Sequence, residues 1–140
     1  MFMQVVDGTN MIFGRAASQI AKRLIKGEEV HIVNAEKFVL VGNPEQIVGR
    51  YLTKRGLKHK GNPELSPKWP KVPHMLVKRM VRGMLPRRTS RGKEALRRLK
   101  VFTGNPDNVE ANLKLEKASF DGLSKHITVN ELCRKLGYSG

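Results

Sequence analysis

The sequence predicts an α/β layered fold, and three observations carry that expectation. The first 55 or so residues run strand, helix, strand, strand, helix, an order that suits layers rather than a bundle or a sandwich. The short apolar runs do not alternate with polar residues, as fits strands covered on both faces. Capping residues stand where the amphipathic segments begin and end. With 140 residues, 39% of them apolar, the chain is one domain's worth and has enough apolar side chains for one core.

Met3 to Asp7 reads as a buried strand that ends at Asp7-Gly8. Gly14 to Lys26 turns helical: Ala16, Ala17, Ile20, Ala21 and Leu24 share one face, Ser18, Lys22 and Lys26 the other, and Gly27 stands at the C-terminal cap. Val30 to Val33 and Phe38 to Val41 are expected to be strands. Asn43-Pro44-Glu45-Gln46 opens a second helix, with Asn as cap, Pro as first helical residue and Gln at the capping-box position. Ile47, Val48, Tyr51 and Leu52 are its expected buried stripe.

Periodicity disappears from Arg55 to Pro73, where glycines, prolines and lysines leave no apolar stripe. An extended arm that displays its lysines along a line, mobile when free and ordered on a charged surface, is expected over residues 54 to 73. Trp69 sits in it among prolines, either to stack on a base or to anchor the arm on its own protein. From His74 the pattern is helical again: Leu76, Val77, Met80, Val81 and Met84 occupy one arc, and Lys78, Arg79 and Arg82 the opposite one. That helix stops at Gly83 to Pro86. Ser90 is placed to cap a further helix, in which Ala95, Leu96 and Leu99 face inward and Arg97 and Arg98 outward. Val101 to Thr103 reads as a short strand, and Gly104-Asn105-Pro106-Asp107 as a turn. Asn108 to Leu123 gives no readable pattern. Thr128-Val129-Asn130-Glu131 is a capping box for a last short helix that buries Leu132 and Leu136, half-buries Cys133 and stops at Gly137.

Charge is the strongest functional signal. Lys and Arg number 27 against 12 Asp and Glu, for a net +15. Sixteen of those cations lie between Lys54 and Lys100, opposed only by Glu64 and Glu94, so 47 residues carry +14 and the other 93 only +1. A charge of this size on a small body opposes compaction unless a polyanion neutralises it, and nucleic acid is the first candidate. The expected contacts are Lys54, Arg55, Lys58, Lys60, Lys68 and Lys71 from the arm, and Lys78, Arg79, Arg82, Arg87, Arg88, Arg91, Lys93, Arg97 and Arg98 from the basic helices of residues 74 to 100. The eight aromatic side chains are not interleaved with these cations. Backbone and shape recognition is therefore expected rather than a base-stacking platform.

Other chemistry finds little support. Gly8 and Gly14 are wrongly spaced for a phosphate-binding loop, although the helix start near Arg15 has backbone amides that suit an RNA phosphate. His31, His59, His74 and His126 are scattered, and Cys133 is the only cysteine, so neither a metal site nor a disulfide is expected. No catalytic constellation is visible. No apolar run is long enough to span a bilayer and no secretory leader is expected, so the chain reads as soluble and cytoplasmic, with no cofactor, no membrane partner and no small-molecule substrate.

Val81-Arg82-Gly83-Met84-Leu85-Pro86-Arg87-Arg88, continued by Ser90-Arg91-Gly92-Lys93-Glu94-Ala95-Leu96-Arg97-Arg98-Leu99-Lys100-Val101, closely resembles the signature of the universal large-subunit ribosomal protein thirteen family. Val6-Asp7 with Phe13 to Ser18, and Val33 to Lys37 with Val41 to Asn43, resemble that family's first two blocks, in its order. The resemblance spans most of residues 5 to 105 and looks like the archaeal form; Phe13 and Ala16 stand where the family pattern has Leu. It implies a three-layer α/β/α domain around a small, mostly parallel sheet. It also implies binding to 23S ribosomal RNA early in large-subunit assembly, and contacts with neighbouring ribosomal proteins. The expectation is therefore a single domain over residues 1–140 that clamps ribosomal RNA as a structural constituent of the large subunit. The alternative is an RNA-binding assembly factor or RNA-modifying enzyme outside the mature ribosome.

Overall fold

The computed structural model describes residues 3–57, 61, 69–86, 88–105, 110–111, 113, 115, 118–120, 122 and 124–138. Three parallel strands, β1 (Met3–Asp7), β2 (Glu29–Val33) and β4 (Leu99–Val101), form a sheet in the order β1-β2-β4. Val5 pairs with His31 and Ile32 with Val101. Successive strand residues point to opposite faces. Val5 and Val6 are both buried, as are Ile32 and Val33, so both faces of this sheet are covered. That is the layered α/β arrangement expected from the sequence. A second, antiparallel pair joins β3 (Val39–Val41) to β5 (His126–Thr128). Strand β5 was not expected; it is three residues long, with one apolar side chain between two polar ones.

Helix α1 (Phe13–Ile25) crosses from β1 to β2 and buries Phe13, Ala16, Ala17, Ile20, Ala21 and Leu24, the expected face with one aromatic added. Its N-cap, Ile12, offers no side-chain acceptor; instead its own N–H donates to the Ala118 carbonyl at 2.7 Å. Gly27, at φ +102°, takes the left-handed turn that ends the helix. Phe13 meets Phe38 edge to face at a ring distance of 5.4 Å, which ties α1 to the start of β3.

Helix α2 (Pro44–Gly56) starts at the expected proline, but the Asn43 side chain accepts from the Glu45 N–H at 3.0 Å, one position short of a capping box. Its buried stripe is narrower than periodicity implies: Ile47 is buried, Val48 and Tyr51 are half-buried, and Leu52 is 49% exposed. Helix α3 (Pro73–Arg82) begins on Pro73, which supplies the preset first turn instead of closing the arm. Leu76, Val77 and Val81 are buried and Met80 half-buried, while Met84 lies beyond the helix end and is 42% exposed. Helix α4 (Ser90–Arg97) is capped by Thr89 rather than Ser90, the Thr89 hydroxyl accepting from the Gly92 N–H at 3.2 Å. The strand after it begins at Leu99, two residues earlier than expected, so Leu99 belongs to the sheet and is buried there. Helix α5 (Val129–Lys135) has the expected cap, Thr128 accepting from the Glu131 N–H at 3.2 Å. Cys133, expected to be half-buried, is fully buried in it.

Parts of the stretch that the sequence left unread belong to the core. Leu115, Ala118 and Phe120 are buried, and the Leu113 N–H donates to the Val5 carbonyl at 3.2 Å. Residues 58–60, 62–68 and 106–107 lie outside the described residues, and with them half of the expected arm and half of the expected turn. Among the described residues no helix is long and apolar enough to cross a membrane.

The end of β1 is pinned by one carboxylate. Asp7 Oδ1 accepts from the Thr9 N–H at 2.9 Å, the Thr9 hydroxyl at 2.7 Å and the Asn34 amide at 3.0 Å. Gly8, next in the chain, has no room for a side chain: a Cβ there would lie 2.8 Å from the Asn34 carbonyl oxygen. Partial burial alone would raise the Asp7 pKa, but the hydrogen bonds from Thr9 and Asn34, with Lys37 nearby, hold it below its ordinary 3.8. A depressed carboxylate contributes stability that is complete above pH 3.8 and is lost as pH falls through the lower folded value. Asp7→Ala is therefore expected to cost about 1–3 kcal/mol at neutral pH. The gap to the parent protein should close as urea unfolding is repeated at pH values falling below 4. A gap that stays constant down to pH 2 would show that the carboxylate does not hold this corner.

Candidate nucleic-acid interface

The basic helices are placed by their apolar sides. Pro73, Leu76, Val77 and Val81 bury one side of α3, so Lys78, Arg79 and Arg82 fall on its half-exposed arc. Helix α4 buries Gly92 and Ala95, and this turns Arg91, Lys93 and Arg97 to solvent. Arg88, on the turn between the two helices, is exposed as well. Helix α3 packs beside β4, and α4 beside α1 and β4, so one sheet strand seats both helices. Among the described residues, acid–base pairs join Arg23 to Glu28, His31 to Glu29 and Arg98 to Glu94. Arg88, Arg91, Lys93 and Arg97 have no acid partner there.

The expected contact residues divide into two groups. Lys54, Arg55 and Arg79 converge on Trp69. The Lys54 Nζ sits 4.5 Å from the indole centroid and 4.8 Å from that of Tyr51, and the Arg79 guanidinium carbon lies 4.6 Å from the indole. Arg55 donates to the Trp69 carbonyl. Trp69 also meets Tyr51 edge to face at 5.8 Å. Of the two roles open to Trp69, the geometry gives the anchor on its own protein. Arg98, expected to face outward, is turned the other way: it donates to the Leu24 carbonyl at the end of α1 and lies 3.9 Å from Glu94. A cation at a helix C-terminus satisfies carbonyls that have no partner within the helix.

The second group remains on the surface. It comprises Lys71, Arg88, Arg91, Lys93 and Arg97, all exposed, with Lys78 and Arg82 half-exposed on α3. Burial lowers the Lys78 pKa, and the charge of Lys100 lowers it further. Arg82 lines a cleft and its Nε is buried with no hydrogen-bond partner. Lys58, Lys60, Lys68 and Arg87 lie outside the described residues.

Sequence reasoning missed Arg50, which stands one helical turn before Lys54. With Lys54 and Arg79 it rims an apolar groove of about 630 Å3, floored by Ile12, Val39, Tyr51 and Met80. The i, i+4 spacing of Arg50 and Lys54 on α2 was the available signal. Among the described residues no group of three His, Cys, Asp or Glu side chains converges as metal ligands would. Burial pushes the Cys133 thiol up to about 11, so it stays protonated and is a poor nucleophile.

Comparison with known proteins identifies the family of the chain. Residues 2–108 match the family model described as ribosomal protein L13. A Methanocaldococcus jannaschii protein named large ribosomal subunit protein uL13 is 40% identical over 136 residues, covering 96% of this chain and 98% of its own. Proteins of the same name from Archaeoglobus fulgidus and Aeropyrum pernix are each 43% identical, covering 97% of this chain and 88% and 90% of theirs. These are archaeal relatives, as the sequence resemblance implies. These matches cover 96–97% of the chain, so they extend past residue 105, where the resemblance read from the sequence stops.

Trp69 should therefore act as a structural anchor. Trp69→Ala is expected to lower stability by about 2–3 kcal/mol in urea unfolding followed by circular dichroism, through lost aromatic and cation–π packing. Trp69→Phe should recover about half of that loss. A loss below about 0.5 kcal/mol for the alanine variant would mean that the indole holds nothing in place.

Proposed function

From the premise that this chain belongs to the ribosomal protein L13 family, we propose that it is a structural constituent of the large ribosomal subunit that clamps 23S ribosomal RNA. The family consists of ribosomal proteins and not enzymes, in keeping with a chain expected to carry no catalysis. The observation that carries the clamp is the exposed run Arg88, Arg91, Lys93 and Arg97, which have no acid partner among the described residues, with α4 burying its other side. Arginines fork onto phosphate oxygens and lysines act as point charges, so such a run neutralises backbone wherever RNA segments converge.

We place the chain early in subunit assembly, in the cytoplasm, with neighbouring ribosomal proteins as further partners. A rigid neutral body with one cationic side suits that order of events. It can fix the spacing of RNA segments before other proteins cover them. The arm of residues 54–73 and its lysines extend the same contact in this proposal, within a single domain over residues 1–140.

A salt titration tests the clamp. If phosphate neutralisation drives binding, log affinity for a large-subunit RNA fragment falls with log salt by roughly 0.7–0.9 for each contact. Arg88→Ala and Arg91→Ala should each weaken binding and reduce that slope by about one contact, with folding unchanged because both side chains are exposed. Lys22→Ala, exposed on α1, and Lys26→Ala, exposed at its C-terminal cap, should change the slope far less. Equal slopes for the two pairs would place the RNA face elsewhere.

A further inference from the structure

We infer that the groove along β3 is a docking site for an extended, acidic segment of a neighbouring protein, which adds a strand to β3 at Val41. This rests on the large-subunit reading and goes further, from unspecified protein neighbours to one surface and the chemistry of its occupant. The backbone of β3 has an open edge. The Val129 N–H donates to the Phe38 carbonyl at 2.9 Å and the Gly42 N–H to the Lys125 carbonyl at 2.8 Å, while Leu40 stands opposite Ile127. In an antiparallel pair every second residue bonds to the partner strand. Phe38, Leu40 and Gly42 therefore turn their backbone groups toward β5, and Val39 and Val41 turn theirs away. The Met11 carbonyl accepts from the Val39 N–H at 2.8 Å, but the chain then leaves this edge, because α1 begins at Phe13. Among the described residues the N–H and carbonyl of Val41 have no backbone partner, and Val41 is 46% exposed. An uncovered strand edge is a template for another chain.

The surroundings of that edge select the occupant. Val41 lines the groove of about 630 Å3, and so do Met80 and Met84, the latter 42% exposed. Unbranched methionines adapt to varied apolar partners. Three cations, Arg50, Lys54 and Arg79, line the same groove and no acid does. Arg50 is exposed and has no acid partner among the described residues. A strand laid along Val41 sends alternate side chains to opposite sides. Its apolar members reach the aliphatic floor, and the acids between them meet the cationic rim. RNA suits the groove less well. Bases bind single-stranded sites by stacking on aromatic faces. Here Phe13 is buried against Phe38, and Tyr51 and Trp69 are engaged with each other and with Lys54 and Arg79. Phosphate contacts are polar and leave a floor of Val, Ile and Met uncovered.

The test uses the full chain with photoreactive benzoylphenylalanine in place of Met84, assembled into archaeal large subunits reconstituted from their RNA and proteins. Irradiation is expected to join it to one other protein. Mass spectrometry should place the link in a segment where apolar residues alternate with Asp or Glu. Arg50→Glu, which reverses the charge of the rim, should lower that crosslink about fivefold. Val41→Pro, which removes the edge N–H, should lower it by about the same factor. Lys26→Glu, exposed at the C-terminal cap of α1, should leave it unchanged. Proline is tolerated on open strand edges, and circular dichroism checks that each variant folds. If Val41→Pro unfolds, Arg50→Glu decides alone. Several results would overturn the docking site: crosslinks to ribosomal RNA only, crosslinks back into this chain, a protein segment without acids, no crosslink at all, or a yield that Arg50→Glu leaves unchanged. In each of these the chain still enters the subunit and the large-subunit reading stands. If the parent chain itself does not sediment with the reconstituted subunit, that reading fails and the docking site with it.

Discussion

Residues 54–100 place sixteen cations against two acids, and at physiological salt charges within about 8 Å of each other are only partly screened. Something must hold them together against that repulsion. The apolar side chains of the same stretch do so. Leu76, Val77, Val81, Leu85, Ala95 and Leu99 are all buried, and among the described residues no buried side chain is polar or charged. Each basic helix is therefore fastened by its inner side to a core that is electrostatically neutral. Strand β4 pairs with β2, whose Val30 and Ile32 are fully buried, so the cationic third is fixed to the most enclosed strand of the sheet. Without that attachment the charges would separate. With it they are displayed at fixed spacing.

The division of the cations follows from the same geometry. Where a guanidinium or ammonium could reach an aromatic face or a helix end, it is engaged inside the protein. Lys54 and Arg79 pack on Trp69, and Arg98 closes the end of α1. These contacts extend α1, α2 and α3 with links that apolar packing alone does not make, since α2 buries only Ile47 fully. A charge run is thus not one functional unit. Some of its members hold the shape on which the others depend. Loss of Arg98 and loss of Arg91 would therefore act differently, one on the scaffold and one only on the exposed cationic side.

How much of this was legible in the sequence depended on the range of the interaction. Helix α1, with its buried stripe and Gly27 stop, was readable because both signals lie within one local period of 3.6 residues. The Thr128 cap and the Pro44 start were equally local. Strand β5 was invisible because three residues carry no periodicity, and it exists through its pairing with β3 far away in the chain. Leu99 looked like the last helical residue because its spacing from Ala95 and Leu96 fits a helix; pairing with Val30 makes it strand instead. On the candidate site, charge density pointed to residues 54–100 as a region, and the structure leaves Arg88, Arg91, Lys93 and Arg97 of that region exposed. The direction of individual side chains was not legible. Arg98 reaches a carbonyl 74 positions earlier, and no local pattern encodes that.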